Sequence, residues 1–191
     1  RNQDFYFQVG ITFSDTGFYA PTFRLSSGGT FDVMGMTLFA DADSEQLCGL
    51  LASRLTRFSV KNFVNASVHT QVEGLKPLPV TKESLKRGQI AALVHGIAEK
   101  QHADPRYDYA SNEQVEIDRL VYAAYGLSEA DIREVEDWYA RRYPKLAAPP
   151  QLLGVYLDPP RSPDACVFAR MTTTISADLT TMITPCQFGG T

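Results

Sequence analysis

Residues 111–142 read SNEQVEIDRLVYAAYGLSEADIREVEDWYARR, and the rest of the chain is interpreted outward from this run. Ile117, Leu120, Val121 and Ala124 recur at i, i+3, i+4 and i+7, the spacing of one helix face. Ser111 with Gln114 predicts a capping box at the start of that helix, and Gly126 supplies a residue able to take the left-handed conformation that ends it. Ser128 predicts the cap of a second helix, with Asp131 near the positive end of its dipole. Leu127 and Ile132 stand where a hydrophobic staple would fix the entry angle, and Ile132, Val135 and Tyr139 carry the buried stripe. The run therefore predicts two helices in a hairpin.

Composition bounds the remainder. The chain has 191 residues, 44% hydrophobic and 21% charged, enough for one domain or somewhat more with a sizeable core. A net charge of −4 gives no global basic footprint, so a nucleic-acid partner would need a local basic patch. Cys48, Cys166 and Cys186 are odd in number and far apart, which favours reduced thiols in a cytoplasm over a disulfide framework. No apolar run approaches the roughly 20 residues of a membrane span. The chain opens at Arg1 without a secretory leader pattern, and a fragment of a longer protein is expected.

Upstream, residues 5–13 alternate: Phe5, Phe7, Val9, Ile11 and Phe13 to one side, Tyr6, Gln8, Gly10 and Thr12 to the other, as in a half-buried strand. A turn at Ser14–Gly17 precedes a second run with Tyr19, Phe23 and Leu25, which Pro21 marks as an edge. Ser26–Gly29 turns the chain into a third strand at Phe31–Met34, and the polar face of this sheet would carry Thr12, Arg24 and Asp32. Asp43–Phe63 predicts one helix with Leu47, Leu51, Leu55 and Phe58 as its stripe, and Gly49, Ala52 and Thr56 as a face open to close approach. Arg54, Arg57 and Lys61 fall along one edge, either solvated or set to contact phosphates. A further strand is expected with Val68 and Val72 inward and His69, Gln71 and Glu73 outward, ending in the Pro-stiffened segment Gly74–Pro79. Thr81–Lys100 predicts a helix with Ile90, Leu93, Val94 and Ile97 on one face. His95, His102 and Asp104 match no standard metal spacing.

In the last part of the chain, prolines at 144, 149 and 150 give a stiff linker, and Leu152–Leu157 reads as a short strand. Asp158-Pro159-Pro160-Arg161 has the outline of the loop with which adenine methyltransferases grip a flipped base. Arg161 stands where that loop needs an aromatic ring, and no Gly-rich S-adenosylmethionine loop precedes it, so it reads as a turn. A single Cys186 in the closing TPCQFGG cannot hold an iron–sulfur cluster, which needs about four ligands. The chain carries no phosphate loop, nucleophile elbow, zinc-protease helix or paired Cys-x-x-Cys, and no catalysis by this chain alone is expected.

The run VEIDRLVYAAYGLSEADIREVE resembles a signature near the C-terminal end of large adenine-specific DNA methyltransferases of BREX phage-defence systems and fused restriction–modification enzymes. An Ile-Asp-x-x-Val-Tyr-x-x-Tyr-Gly-Leu pattern there follows the target-recognition domain, and this chain keeps Ile117, Asp118, Val121, Tyr122, Tyr125, Gly126 and Leu127. GLLASRL (Gly49, Leu50, Leu51, Ser53, Leu55) and Leu78-Pro79 are similar to a helix and closing segment of those recognition domains, and residues 10–39 to their strand-rich entry. The resemblance covers roughly residues 8–142. It implies DNA target recognition for an adenine-N6 methyltransferase, with double-stranded DNA, the missing methylase domain and other defence-system subunits as partners. S-adenosylmethionine would be bound by the parent enzyme, outside this chain.

The expected fold is α+β. A recognition unit of strands and one helix occupies residues 1–80, a helical region residues 81–146, and a Pro-rich linker and tail residues 147–191. Arg54, Arg57, Lys61 and Lys76 are expected on phosphates, and Thr12, Ser14, Arg24, Asn65 and His69 at base edges. The alternative from a different class is a protein–protein module that docks the hairpin through an exposed 117/120/124 face.

Overall fold

A computed structural model describes residues 3–16, 21–26, 28–32, 35–40, 43–81, 88–144 and 146–147, together with the backbone of 177–178. The fold is α+β: a three-stranded antiparallel sheet against a set of helices. The central strand β1 (Gly10–Ser14) lies between β2 (Arg24–Ser26) and β3 (Gly35–Leu38). The register sets Thr12 opposite both Arg24 and Thr37, and Ile11 opposite both Leu25 and Leu38. The helices are α1 (Ser44–Ala52), α2 (Arg54–Ser59), the one-turn α3 (Val72–Leu75), α4 (Gln89–Ala103), α5 (Glu113–Ala124) and α6 (Glu129–Arg142). A two-residue strand β4 (Pro79–Val80) pairs antiparallel with β5 (Ala177–Asp178).

The sequence alternation holds only where a ladder exists. Ile11 and Phe13 are buried opposite Leu38 and Met36, so β1 places its odd residues inward. The long strand expected from residue 5 is corrected. Phe7 takes a left-handed φ of 65°, and Phe7 and Val9 are 74% and 64% exposed. A single helical turn at Gln3–Phe5 and the left-handed Phe7 take the chain out of extended conformation there, although the Phe7 N–H still donates to the Gly29 carbonyl at 2.9 Å, in line with the β1–β2 register. Phe5 instead packs on Phe39, and Tyr6 on Phe31. The described third strand is Gly35–Leu38; of the expected Phe31–Met34, Phe31 is a ring packed against Phe39, and Val33 and Met34 lie outside the described residues.

The single helix expected over 43–63 is broken. Ser53 leaves the helical region (φ −65°, ψ 156°), ends α1 and caps α2 by accepting from the Thr56 N–H. After α2, Val60–Val64 forms a wider turn, closed by the Asn65 N–H on the Val60 carbonyl at 2.6 Å. The predicted stripe survives the break: Leu47, Leu51, Leu55 and Phe58 are all in the core. Residues 65–71 form no strand, contrary to expectation, and Val68 faces solvent; Asn65, Ser67 and His69 satisfy one another's backbone groups locally.

Gly49 does what its small-residue face suggested. A Cβ built there would stand 2.5 Å from the Ile90 Cγ2 and 3.0 Å from the Val94 Cγ2 of α4. Alanine would gain up to about 1 kcal/mol of helix propensity at this position. Both opposing atoms belong to β-branched side chains with little rotamer freedom, so overpacking at roughly 1–3 kcal/mol outweighs the gain. Gly49→Ala is therefore expected to lower the thermal midpoint, measured by circular dichroism.

The hairpin is present, with one change at its start. Ser111 and Gln114 form no capping box. Ser111 turns its N–H to Asp108 Oδ1 (3.1 Å), and α5 starts at Glu113 behind Asn112, which makes no side-chain cap. Gly126 is left-handed at φ 63°, and Ser128 and Asp131 form a complete capping box for α6. Leu127 and Ile132 both pack against the core. Helix α4 begins at Gln89 and runs to Ala103, with Ile90 and Val94 buried. One core cluster runs from Ile11 to Tyr143, so the expected division near residue 80 passes through continuous packing. Tyr19, residues 148–176 with the Asp158–Arg161 run, Cys166 and Cys186 lie outside the described residues.

Candidate functional site

Two polar assemblies stand out, one inside and one on the surface. The inner one gathers around Arg54 at the first turn of α2. Asp118 on α5 accepts the Arg54 backbone N–H at 2.8 Å, so it caps α2 from another helix. Its other oxygen lies 3.3 Å from the Arg54 Nε, an ion pair without hydrogen-bond alignment. The Arg54 guanidinium also bonds Glu136 on α6 and stacks 4.6 Å above the Tyr139 ring. Tyr122 donates to the other oxygen of Glu136 at 2.6 Å. The side chains of Asp118 and Arg54 are 4% and 14% exposed. Burial is the main reason the Asp118 carboxyl is pushed up to about 7; Glu136 adds to the rise, while the Arg54 N–H and guanidinium oppose it.

The fold gives six residues of the 117–127 run a structural task. Ile117 and Val121 fill the core, Asp118 caps α2, and Tyr122 holds Glu136. Tyr125 donates to the Pro79 carbonyl at 2.6 Å, and Gly126 makes the left-handed turn. The run is a clamp that ties the hairpin to α2 and to β4.

The row Arg54, Arg57, Lys61 is thus not a solvent-facing edge, and that expectation is corrected. Arg54 is sequestered by two carboxylates. The Lys61 Nζ donates to the Ser67 carbonyl at 2.8 Å; burial, then the nearby Arg142, holds its pKa below the usual lysine range. Arg57 touches the Tyr139 hydroxyl at 3.3 Å and, among the described residues, has no carboxylate partner. Lys76 pairs with Glu73 at 2.6 Å. The helix turns these cations toward α6 and the 65–70 loop because Leu55 and Phe58 must face the core.

The outer assembly lies on β1 and the loop beside it. Even-numbered residues of β1 point away from the core, so Thr12, Ser14 and Thr16 follow one another along one face. Arg24 donates its Nε to the Thr12 hydroxyl at 3.2 Å across the β1–β2 pair. Thr16 bridges to His69, and the His69 Nδ1 lies 2.8 Å from Asp15 Oδ2. The Asn65 amide and Ser67 hydroxyl both donate to the His69 carbonyl, at 2.7 and 2.9 Å. Five predicted residues, Thr12, Ser14, Arg24, Asn65 and His69, therefore share this surface. Asp15, Thr16 and Ser67 were missed. The signal for Asp15 was the alternation itself: two residues beyond Phe13, it falls on the inward side, where a carboxylate needs partners.

Cys48 is a free thiol in the core, pushed up to about 12 by burial, and so is no nucleophile. Among the described residues no cluster of three or more metal-ligating side chains occurs. His95 is occupied by Glu45 at 3.0 Å and Glu99 at 3.4 Å. No described helix is long and apolar enough to cross a membrane.

Fold and site together define a small α+β chain with an ionic clamp inside and a hydroxyl-, amide- and imidazole-bearing face outside. No family model matches the chain, and neither a curated protein nor a solved structure matches it.

Proposed function

We propose that this chain is the DNA target-recognition part of an adenine-N6 DNA methyltransferase of a restriction–modification or BREX phage-defence system, acting in the cytoplasm. One observation carries the reading. The two stretches that resemble that family, 49–55 and 117–127, meet in the fold: Asp118, one of the matched residues, accepts the backbone N–H of Arg54, which lies between the matched Ser53 and Leu55. A shared resemblance thus coincides with a shared contact. The outer face of β1 supplies the docking surface. Thr12, Ser14, Asn65 and His69 face base edges, while Arg24 supplies a phosphate contact from the same face. The methylase domain, with its S-adenosylmethionine, belongs to the remainder of the parent enzyme.

The hairpin-docking alternative required an exposed 117/120/124 face. Ile117 is in the core, and Leu120 and Ala124 pack against it, which argues against that route.

The test is duplex-DNA binding titrated against salt. Log affinity is expected to fall linearly with log salt, and Arg24→Ala to reduce the slope by about one. Absence of duplex binding at low salt would overturn the reading.

A further inference from the structure

The imidazole of His69 is held in a defined chemical form. Its Nδ1 is 2.8 Å from Asp15 Oδ2, and the Thr16 hydroxyl, 3.4 Å from Nδ1, donates to the same carboxylate oxygen at 3.2 Å. A carboxylate only accepts, so the ring hydrogen must sit on Nδ1. Asp15 cannot move to relax this. It is buried, and its carbonyl accepts the Thr70 N–H at 2.8 Å. The His69 backbone is fixed as well: its carbonyl accepts from Asn65 and Ser67, and its N–H donates to the Ser67 hydroxyl at 3.3 Å. The ring is nevertheless 61% exposed. In the neutral ring the second nitrogen, Nε2, is then a bare acceptor on the side away from the carboxylate.

We infer that the Asp15–His69 pair is a tautomer-locked acceptor that reads an exocyclic amino group of a base. This rests on the DNA-recognition reading above and deepens it. In the major groove only adenine N6 and cytosine N4 offer amino donors; guanine and thymine present acceptors at the corresponding edge positions. Nε2 therefore favours adenine or cytosine over guanine or thymine at one position of the site. His69 is a specificity-determining residue, and Asp15 a positioning residue that acts through it. Asp15→Asn removes the obligation of Nδ1 to carry the hydrogen, because an amide both donates and accepts.

The experiment has two arms on the full chain. Nitrogen-15 NMR of the neutral ring is expected to show the hydrogen on Nδ1, and Asp15→Asn to lose that single form. A bare Nδ1 in the unmodified chain overturns the inference. In the second arm, duplexes selected from a random pool are remade with purine for adenine, or 2-pyrimidinone for cytosine, at each position. Loss of one amino group is expected to weaken the unmodified chain about five- to tenfold. Both Asp15→Asn and His69→Ala should remove that discrimination, with circular dichroism showing that each variant remains folded. Whether purine or 2-pyrimidinone shows the effect tells which base is read. Duplex binding that is insensitive to every amino group overturns the inference and leaves the DNA-recognition reading standing. Absence of binding to any duplex overturns both.

Discussion

Arg54→Ala is expected to lower the free energy of unfolding by about 3–5 kcal/mol, the range found when one partner of a buried ion pair is removed. The reason lies in what remains. Asp118 and Glu136 both face the vacated volume, one almost wholly buried, with no cation between them. The aliphatic stem and the stacking of the guanidinium on Tyr139 are lost with the charge. Arg54→Lys should recover only part of the stability, because a single ammonium cannot bond Glu136 and lie against Asp118 in the fork that the guanidinium spans. Denaturant unfolding of both variants would measure this. A loss under about 1 kcal/mol for alanine would mean that the assembly behaves like a surface pair and does not clamp the hairpin.

The second large effect is on pH. One guanidinium serves two carboxylates here, and the deeper of them, Asp118, is raised from 3.8 to about 7 in the folded chain by burial, with Glu136 adding to the rise. A carboxyl whose folded value is raised binds a proton more tightly in the native state. Its contribution to stability is therefore fully present below about 4 and is lost as pH rises toward 7. The loss is on the order of 2–4 kcal/mol. Glu113, where desolvation pushes the pKa up but is outweighed by hydrogen bonds from Lys100, its own backbone and Tyr107, and Asp108 and Glu116, lowered by hydrogen bonds from Ser111 and Arg119, act in the opposite sense and over more acidic pH. The clean quantity is the difference between the unmodified chain and Asp118→Asn, which retains an oxygen for the Arg54 N–H. That difference is expected to change steadily between pH 4 and 7 in favour of the asparagine variant. A flat difference would mean that Arg54 holds Asp118 ionised throughout.

The sequence was most legible where neighbours along the chain decide the outcome. The left-handed turn at Gly126 and the Ser128 cap are local events, set by backbone sterics and one side-chain hydrogen bond, and both are found as expected. The stripes Leu47–Leu51–Leu55–Phe58 and Ile117–Val121 follow from helical periodicity and are buried, even though the first spans a broken helix. The acidic Asp118 sits beside that second stripe, and periodicity alone gives no account of a buried carboxylate. Its partner is an N–H exposed by the break at Ser53, 64 positions from it in the chain.

Strands were read less well. Alternation from Phe5 to Phe13 looks the same whether the backbone is extended throughout or not, and the helical turn at Gln3–Phe5 with the left-handed Phe7 leaves only Gly10–Ser14 in the ladder. The same holds for the basic row: spacing put Arg54, Arg57 and Lys61 on one edge, but which way that edge faces depends on where α6 and the 65–70 loop pack.

By itself, then, the sequence determined the helical hairpin, its Gly126 turn and Ser128 cap, the apolar stripes and the mixed α and β character, because these rest on interactions within a few residues. Tertiary structure alone decided that Arg54 is a clamp, that Asp15 holds His69, and that Thr12, Ser14, Arg24, Asn65 and His69 meet on one face. Those outcomes depend on contacts between distant segments, and a buried charge takes its partner from whichever segment the packing of the core brings beside it.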